Sequence, residues 1–398
     1  MNTDFAATKS FFHLPEGIVY LNGNSLGPMP KSAAARIEKT VKEEWANLLI
    51  TGWNKAGWMQ QPIEIGNKIA RLIGAEKDHV IVGDTLTIKT YQAVSAAIKM
   101  HPSRKVILSD SGNFPADLYI TEGLIKSMDM GHELKIVPSQ EIPNQIDRSI
   151  AAILLTEVDY KTGFMHNMFE INKLAQESGA ITIWDLAHSA GAIKIDLAQA
   201  KVDFAVGCTY KYLNGGPGSP GFIYVAPKHI AKVTPAISGW LGHAAPFDFE
   251  SKYRPSQGIE RMRIGTPPVL AMAILEEALK IWDTVDVADV RKKSIELSEM
   301  FIKLIERDCP MLKLSSPRSS KQRGSQVSFE FDEGYAVIQA LIQAGVIGDF
   351  RSPNIMRFGI CPLYITEEDI LLACKKLKNI MRNNLWDKND YKVKALVT

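Results

Sequence analysis

Asp185, His188 and Lys211 have the types and spacing needed for chemistry on a bound carbonyl compound. The first two fall in WDLAHSAGA, and the third lies 26 positions beyond Asp185 in GCTYKYLNGGPGSPG. A lysine amine condenses with an aldehyde, and an acid against a pyridine nitrogen keeps that nitrogen protonated. The ring can then take up electrons from a carbanion, which is the work of pyridoxal 5′-phosphate (PLP) in an enzyme. Ala187 is small enough for such a ring to lie flat, Phe114 can cover its other face, and His188 can meet the ring oxygen. Leu86 and Thr87 stand ahead of a helix, whose N-terminus favours a phosphate.

Each residue also has a plainer reading. A lysine after a strand is ordinarily solvated, an aspartate after a strand is often an N-cap, and a lone histidine is usually structural. GGPGSPG reads as a loop and lacks the GxGxxG spacing of a dinucleotide site. The chemical reading rests on all of these residues falling at strand ends of one α/β domain.

Those strands are read from short apolar runs at 79–83, 105–109, 134–138, 149–156, 180–185, 203–208 and 222–226. Each is brief, rich in β-branched residues and closed by a polar or turn residue, as expected of a strand buried on both faces. Helical spacing at 168–179 separates two of them, so the predicted fold is α/β, a mostly parallel sheet flanked by helices. Ligands of such sheets bind beyond the carboxyl ends of the strands. Amphipathic helices are expected at 268–283 and 286–308, strands at 325–331 and 355–361, and a last helix opened by a Thr366/Asp369 capping box. These form a smaller α+β unit. The predicted division is 1–60 as an N-terminal segment joining the small domain, 61–285 as the large domain, and 286–398 as the small one.

The composition fits this reading. With 398 residues, 46% hydrophobic and 23% charged, the chain suits a soluble two-domain protein. A net charge of +2 gives no steering towards nucleic acid or a membrane surface. The four cysteines form no CxxC pair, which argues against a disulfide framework or zinc site. The N-terminus lacks the apolar core of a secretory signal, so a cytoplasmic location is expected.

Beyond these residues, YLNGNSLGP, WDLAHSAGA and VGCTYKYLNGGPGSPGFIYV together resemble kynureninase, a family of fold-type I PLP enzymes. NFPADLY, TEVDYKTG, SGWLGH, RIGTPPVLAM and PNIMRFGICPLY support the resemblance, in family order from Tyr20 to Tyr364. It implies hydrolysis of L-kynurenine to anthranilate and L-alanine, with 3-hydroxykynurenine left open, by a homodimer with active sites at the subunit interface. It implies that Lys211 holds PLP, Asp185 pairs with the ring nitrogen, His188 lies near the ring oxygen, and Phe114 stacks on the ring. Asp117 and Thr156 would sit beside the cofactor, and Leu86, Thr87 and Tyr210 would hold its phosphate, with Tyr210 also a proton carrier. Trp240 and Thr266 would reach the site from the second subunit, Arg357 would clamp the substrate carboxylate, and Trp58 would contact substrate. Thr266 stands where many relatives carry Asn, a departure that removes two amide donors. Trp53 and Trp58 resemble bacterial members that prefer kynurenine.

The alternatives are another fold-type I enzyme, such as a cysteine desulfurase or class V aminotransferase, a non-catalytic ligand sensor, and a nicotinamide-dependent oxidoreductase. A desulfurase needs a reactive loop cysteine, and Cys361 and Cys374 sit in strand-like and helical runs instead. A sensor would be expected to have lost Lys211, Asp185 or Arg357, and all three are present.

Overall fold

A computed structural model describes residues 3–395. The apolar runs form β1 (Val80–Val82), β2 (Val106–Asp110), β3 (Glu133–Val137), β4 (Ile150–Thr156), β5 (Ile181–Asp185), β6 (Phe204–Gly207) and β7 (Phe222–Val225). They make one seven-stranded sheet in the order β1-β7-β6-β5-β4-β2-β3. Every residue of β4, β5, β6 and β7 is buried, so these strands read as unbroken apolar runs. β3 lies at an edge, and its Glu133 and Ile136 face solvent.

One strand departs from the expected parallel arrangement. β7 runs antiparallel to both β6 and β1. The 14 residues between β6 and β7 contain no helix, and a parallel return needs a crossover connection, usually helical.

Helices cover the sheet: α1 (Gln61–Leu72), α2 (Leu86–Met100), α3 (Pro115–Met128) and α4 (Met168–Ser178). Each start has a local cause. Thr85 caps α2 through its hydroxyl, Pro115 opens α3 with its φ already helical, and Asn167 accepts from the Glu170 amide to cap α4. α4 stops at Gly179, whose φ of +76° suits the left-handed C-terminal turn.

The expected helix at 268–283 divides into α5 (Val269–Leu279) and a tighter 3₁₀ turn over Lys280–Asp283. α6 (Val287–Asp308) lays Val290, Leu297, Phe301 and Ile305 along its buried face. That face packs on a four-stranded antiparallel sheet of β8 (Lys313–Leu314), β9 (Gln326–Glu330), β10 (Asp349–Arg351) and β11 (Ile355–Gly359), ordered β10-β11-β9-β8. Phe301 meets Phe329 and Phe358 edge-on, with ring centres 6.0 and 5.1 Å apart. α7 (Gly334–Gln343) and α8 (Glu367–Arg382) complete this unit, and the Thr366/Asp369 capping box is formed at the start of α8. Near the N-terminus, Val19–Tyr20 pairs in parallel with Val346–Ile347. Among the described residues, no helix is long and apolar enough to cross a membrane.

Candidate active site

The carboxyl ends of β4, β5 and β6 lie side by side. Thr156 pairs with Asp185, which pairs with Val206, four residues before Tyr210. Asp185 is buried, and its carboxylate accepts from the Ala187 amide at 2.8 Å. Burial pushes its carboxyl up to about 6, while Lys211, the Ala187 amide and the Thr156 hydroxyl draw it down.

Lys211 Nζ lies 3.0 Å from His188 Nε2 and 5.9 Å from the centres of both the Phe114 and Tyr210 rings. Burial, then Lys211, Arg357 and Arg351, hold the His188 imidazole well below its usual pKa, so the ring is neutral. With Nε2 accepting from Lys211, Nδ1 carries the proton, and this buried atom has no partner among the described residues.

Asp117 is also buried, in the first turn of α3. Burial, then its neighbour Asp185, raises its carboxyl well above the usual range. The Thr90 hydroxyl reaches Oδ1 at 3.4 Å, and Oδ2 has no partner among the described residues. Thr156 donates to Asn113 Oδ1 at 2.6 Å, while Asn113 donates to Ser109 and to the Leu154 carbonyl. That chain of bonds fixes the turn that presents Phe114, which is 40% exposed and meets Tyr160 edge-on.

Two backbone approaches hold the loops. Gly27 donates its amide to the Tyr210 carbonyl at 2.7 Å, and a β-carbon there would come within 2.4 Å of the Lys211 carbonyl. A β-carbon on Gly221 would stand 2.8 Å from the Leu86 amide, so only glycine lets the β7 loop close on the head of α2.

Arg357, on β11, is buried beneath this group. It donates from Nε to Asp349 Oδ1 at 2.6 Å, from Nη2 to Asp349 Oδ2 and to Ser25 at 3.0 Å, and from Nη1 to the Tyr160 carbonyl at 2.5 Å. Arg351 joins the same carboxylate at 3.1 Å. The result is a cluster of Lys211, Arg351 and Arg357 with neutral His188, buried Asp185 and the Asp349 carboxylate.

The family model for the kynureninase C-terminal domain matches residues 290–377. The chain is 47% identical to the kynureninase of Pseudomonas fluorescens over 99% of its own length and 96% of that protein. It is 43% identical, with the same coverage, to the kynureninase of Burkholderia mallei.

The chain belongs to the kynureninase family.

Solved structures show the same fold at low identity. The Escherichia coli cysteine desulfurase CsdA superposes with a TM-score of 0.80 at 16% identity, covering 96% of this chain and 99% of that one. A C-DES variant with glycine linked to its PLP cofactor gives 0.79 at 18%, covering 92% and 97%. The fold is therefore that of fold-type I PLP enzymes.

Within this kynureninase-family chain, Lys211, Tyr210, His188, Asp185, Asp117, Thr156 and Phe114 come together, with Leu86 and Thr87 heading α2 nearby. Trp240, Thr266 and Trp58 are placed differently. Trp240 is 43% exposed and packs edge-on against Phe247. Thr266 is exposed beside Gly83, Asp84 and Lys89. Among the described residues, no hydrogen bond joins either to Lys211 or Asp185. Trp58 is buried, donates to Glu44 at 3.2 Å and meets Trp53 edge-on.

Sequence reasoning missed Asp349, Arg351, Ser25, Asn113 and Tyr160 as site residues. Ser25, Asn113 and Tyr160 lie inside the motifs YLNGNSLGP, NFPADLY and TEVDYKTG. Asp349 and Arg351 have no local signal.

Proposed function

We propose that this chain hydrolyses the Cβ–Cγ bond of L-kynurenine, consuming one water and releasing anthranilate and L-alanine, with PLP as cofactor. The observation that carries the reading is the meeting of Lys211, neutral His188 and buried Asp185 in a chain 47% identical to a kynureninase over nearly its full length. The residues fit the cofactor. Asp185 is a buried acid suited to a ring nitrogen, and the His188 Nδ1–H and Asp117 Oδ2 are buried polar atoms in want of a partner. Leu86, Thr87 and Tyr210 would hold the phosphate.

PLP supplies the electron sink that stabilises negative charge at carbons next to the substrate nitrogen. Asp185 would hold the proton on the ring nitrogen, and Phe114 would cover the ring face. Lys211, which has no salt bridge among the described residues and lies 3.0 Å from His188, would move a proton at the substrate α-carbon. Arg357, with Arg351 beside it, would bind the α-carboxylate. Tyr210 keeps its phenolic proton, because Cys208 beside it and then burial push its pKa up. It is therefore a proton donor in the resting site, suited to an oxygen that gains charge.

The desulfurase alternative needs a reactive thiol. All four cysteines are buried, and burial pushes Cys361 and Cys374 up to about 12.

The reading extends to a homodimer, in which Trp240 and Thr266 would serve the partner's site. The exposed aromatics Trp240, Phe247 and Phe249 support it. It also extends to a cytoplasmic location, and to residues 1–60 joining a small domain of 286–398 while 61–285 form the PLP-binding domain.

The test is one optical experiment. Purified protein plus PLP should gain a visible absorbance band that Lys211→Ala lacks, and L-kynurenine should then yield anthranilate fluorescence. A band without anthranilate would overturn the substrate, and no band would overturn the cofactor.

A further inference from the structure

A cavity of about 700 Å³ lies between α4, the start of α6 and the loops at 193–196 and 320–322. None of Lys211, His188, Tyr210 or Phe114 lines it. Its floor is apolar, built from Phe164, Met168, Ile193 and Ile195. Its rim is cationic, with Lys194, Arg291 and Lys321.

Three cations and three acids line the cavity, and among the described residues the two lysines are the unpaired ones. Lys194 and Lys321 are exposed, and among the described residues neither has an ion pair or side-chain hydrogen bond. Arg291 is anchored at one end only, through Nη2 to the Ser320 and Arg323 carbonyls at 2.7 and 2.6 Å. The acids of the wall are engaged or hidden. Asp196 accepts from the Gln199 amide at 2.9 Å, Glu170 is held by Asn167 at 3.1 Å, and Glu157 is buried. Burial pushes the Glu157 carboxyl up to about 7, so near neutral pH it carries only about half of its charge.

A space of this size with an apolar floor and a few charged groups on one side is the usual form of a small-molecule site. The first turn of α4 also opens into it, which adds to the preference for an anion. We propose that this cavity is a second binding site, separate from the PLP pocket, for a small aromatic carboxylate. The ring would lie on Phe164, Met168 and the two isoleucines, and the carboxylate would meet Lys194, Lys321 and the open end of Arg291. The wall is shared with the catalytic pocket, since the Glu157 amide donates to the Asp185 carbonyl at 3.0 Å.

The experiment is isothermal titration calorimetry of the PLP-loaded protein with indole-3-acetate. We expect saturable binding that weakens at least tenfold in Lys194→Glu/Lys321→Glu and is unchanged in Arg357→Lys. Both lysines are exposed, and a retained melting temperature checks that the double variant is folded. Absence of binding, or equal affinity in the double variant, would overturn the proposal. So would loss of binding in Arg357→Lys, which would place the probe in the catalytic pocket. Displacement of the probe by equimolar inorganic phosphate would reduce the cavity to a plain anion site and overturn the aromatic assignment.

Discussion

Asp349 and Arg357 face each other across neighbouring antiparallel strands, and the carboxylate takes up both Nε and Nη2 of the guanidinium. Both side chains are buried. In the role proposed for Arg357, a substrate carboxylate would join an anion already present, and Arg351, on the same carboxylate, would supply the second positive charge. The Asp349 carboxylate offsets one of the two guanidinium charges and leaves the other for a second acid.

Removing that acid should be costly. Asp349→Asn leaves two guanidinium groups close together without their counter-ion, and loss of one member of a buried pair costs about 3–5 kcal/mol. Urea denaturation should show a loss of this size. An unchanged midpoint would mean that the pair adds nothing to stability.

Arg357→Ala should act on substrate binding. Losing hydrogen bonds to a charged group costs about 1.5–3 kcal/mol, roughly a tenfold to hundredfold rise in KM. Steady-state kinetics with L-kynurenine checks this, and an unchanged KM would remove Arg357 from the carboxylate site.

Asp185→Ala should lose PLP on dialysis faster than the parent protein and turn over about a hundredfold more slowly, the scale of a positioned proton-holding group. Absorbance after dialysis reads the first effect and anthranilate fluorescence the second. Parental values of both would exclude the role.

Glu157 makes a separate prediction about stability and pH. Its folded pKa of about 7 lies above the ordinary 4.5, so the folded state holds its proton more tightly. The resulting stability is fully present below pH 4.5 and is lost as pH rises through 7. The span is up to about 3 kcal/mol. Glu157→Gln should flatten this dependence, measured by urea denaturation at pH 5 and pH 8. A slope equal to that of the parent would exclude Glu157 as its source.

The strands β1 to β7 were legible because strands buried on both faces must be continuously apolar, as 150-IAAILLT-156 is. The direction of β7 was not, because orientation depends on what the connecting loop can span and not on the strand's own residues. The meeting of Lys211, Asp185 and His188 was legible because each lies at or just past the end of such a strand. Asp349 and Arg351 were hidden for a different reason. β10 is only three residues long, and Asp349 finds Arg357 by cross-strand register, which leaves no trace in spacing along the chain. The hydrogen bond from Trp58 to Glu44 was not legible either, since it is set by how the N-terminal helices fold back.

The pairing of Val19–Tyr20 with Val346–Ile347 has a consequence for synthesis. The partner strand emerges 327 positions later, a delay of roughly 15–65 s at about 5–20 residues per second. Through that interval the N-terminal strand has no edge to join, while the whole seven-stranded sheet has already been made. Ser25 and Gly27, a few residues beyond that strand, bind to Arg357 and Tyr210. Ser25 meets a partner 332 positions further along, so the Arg357 end of the site cannot assemble before that strand has been made.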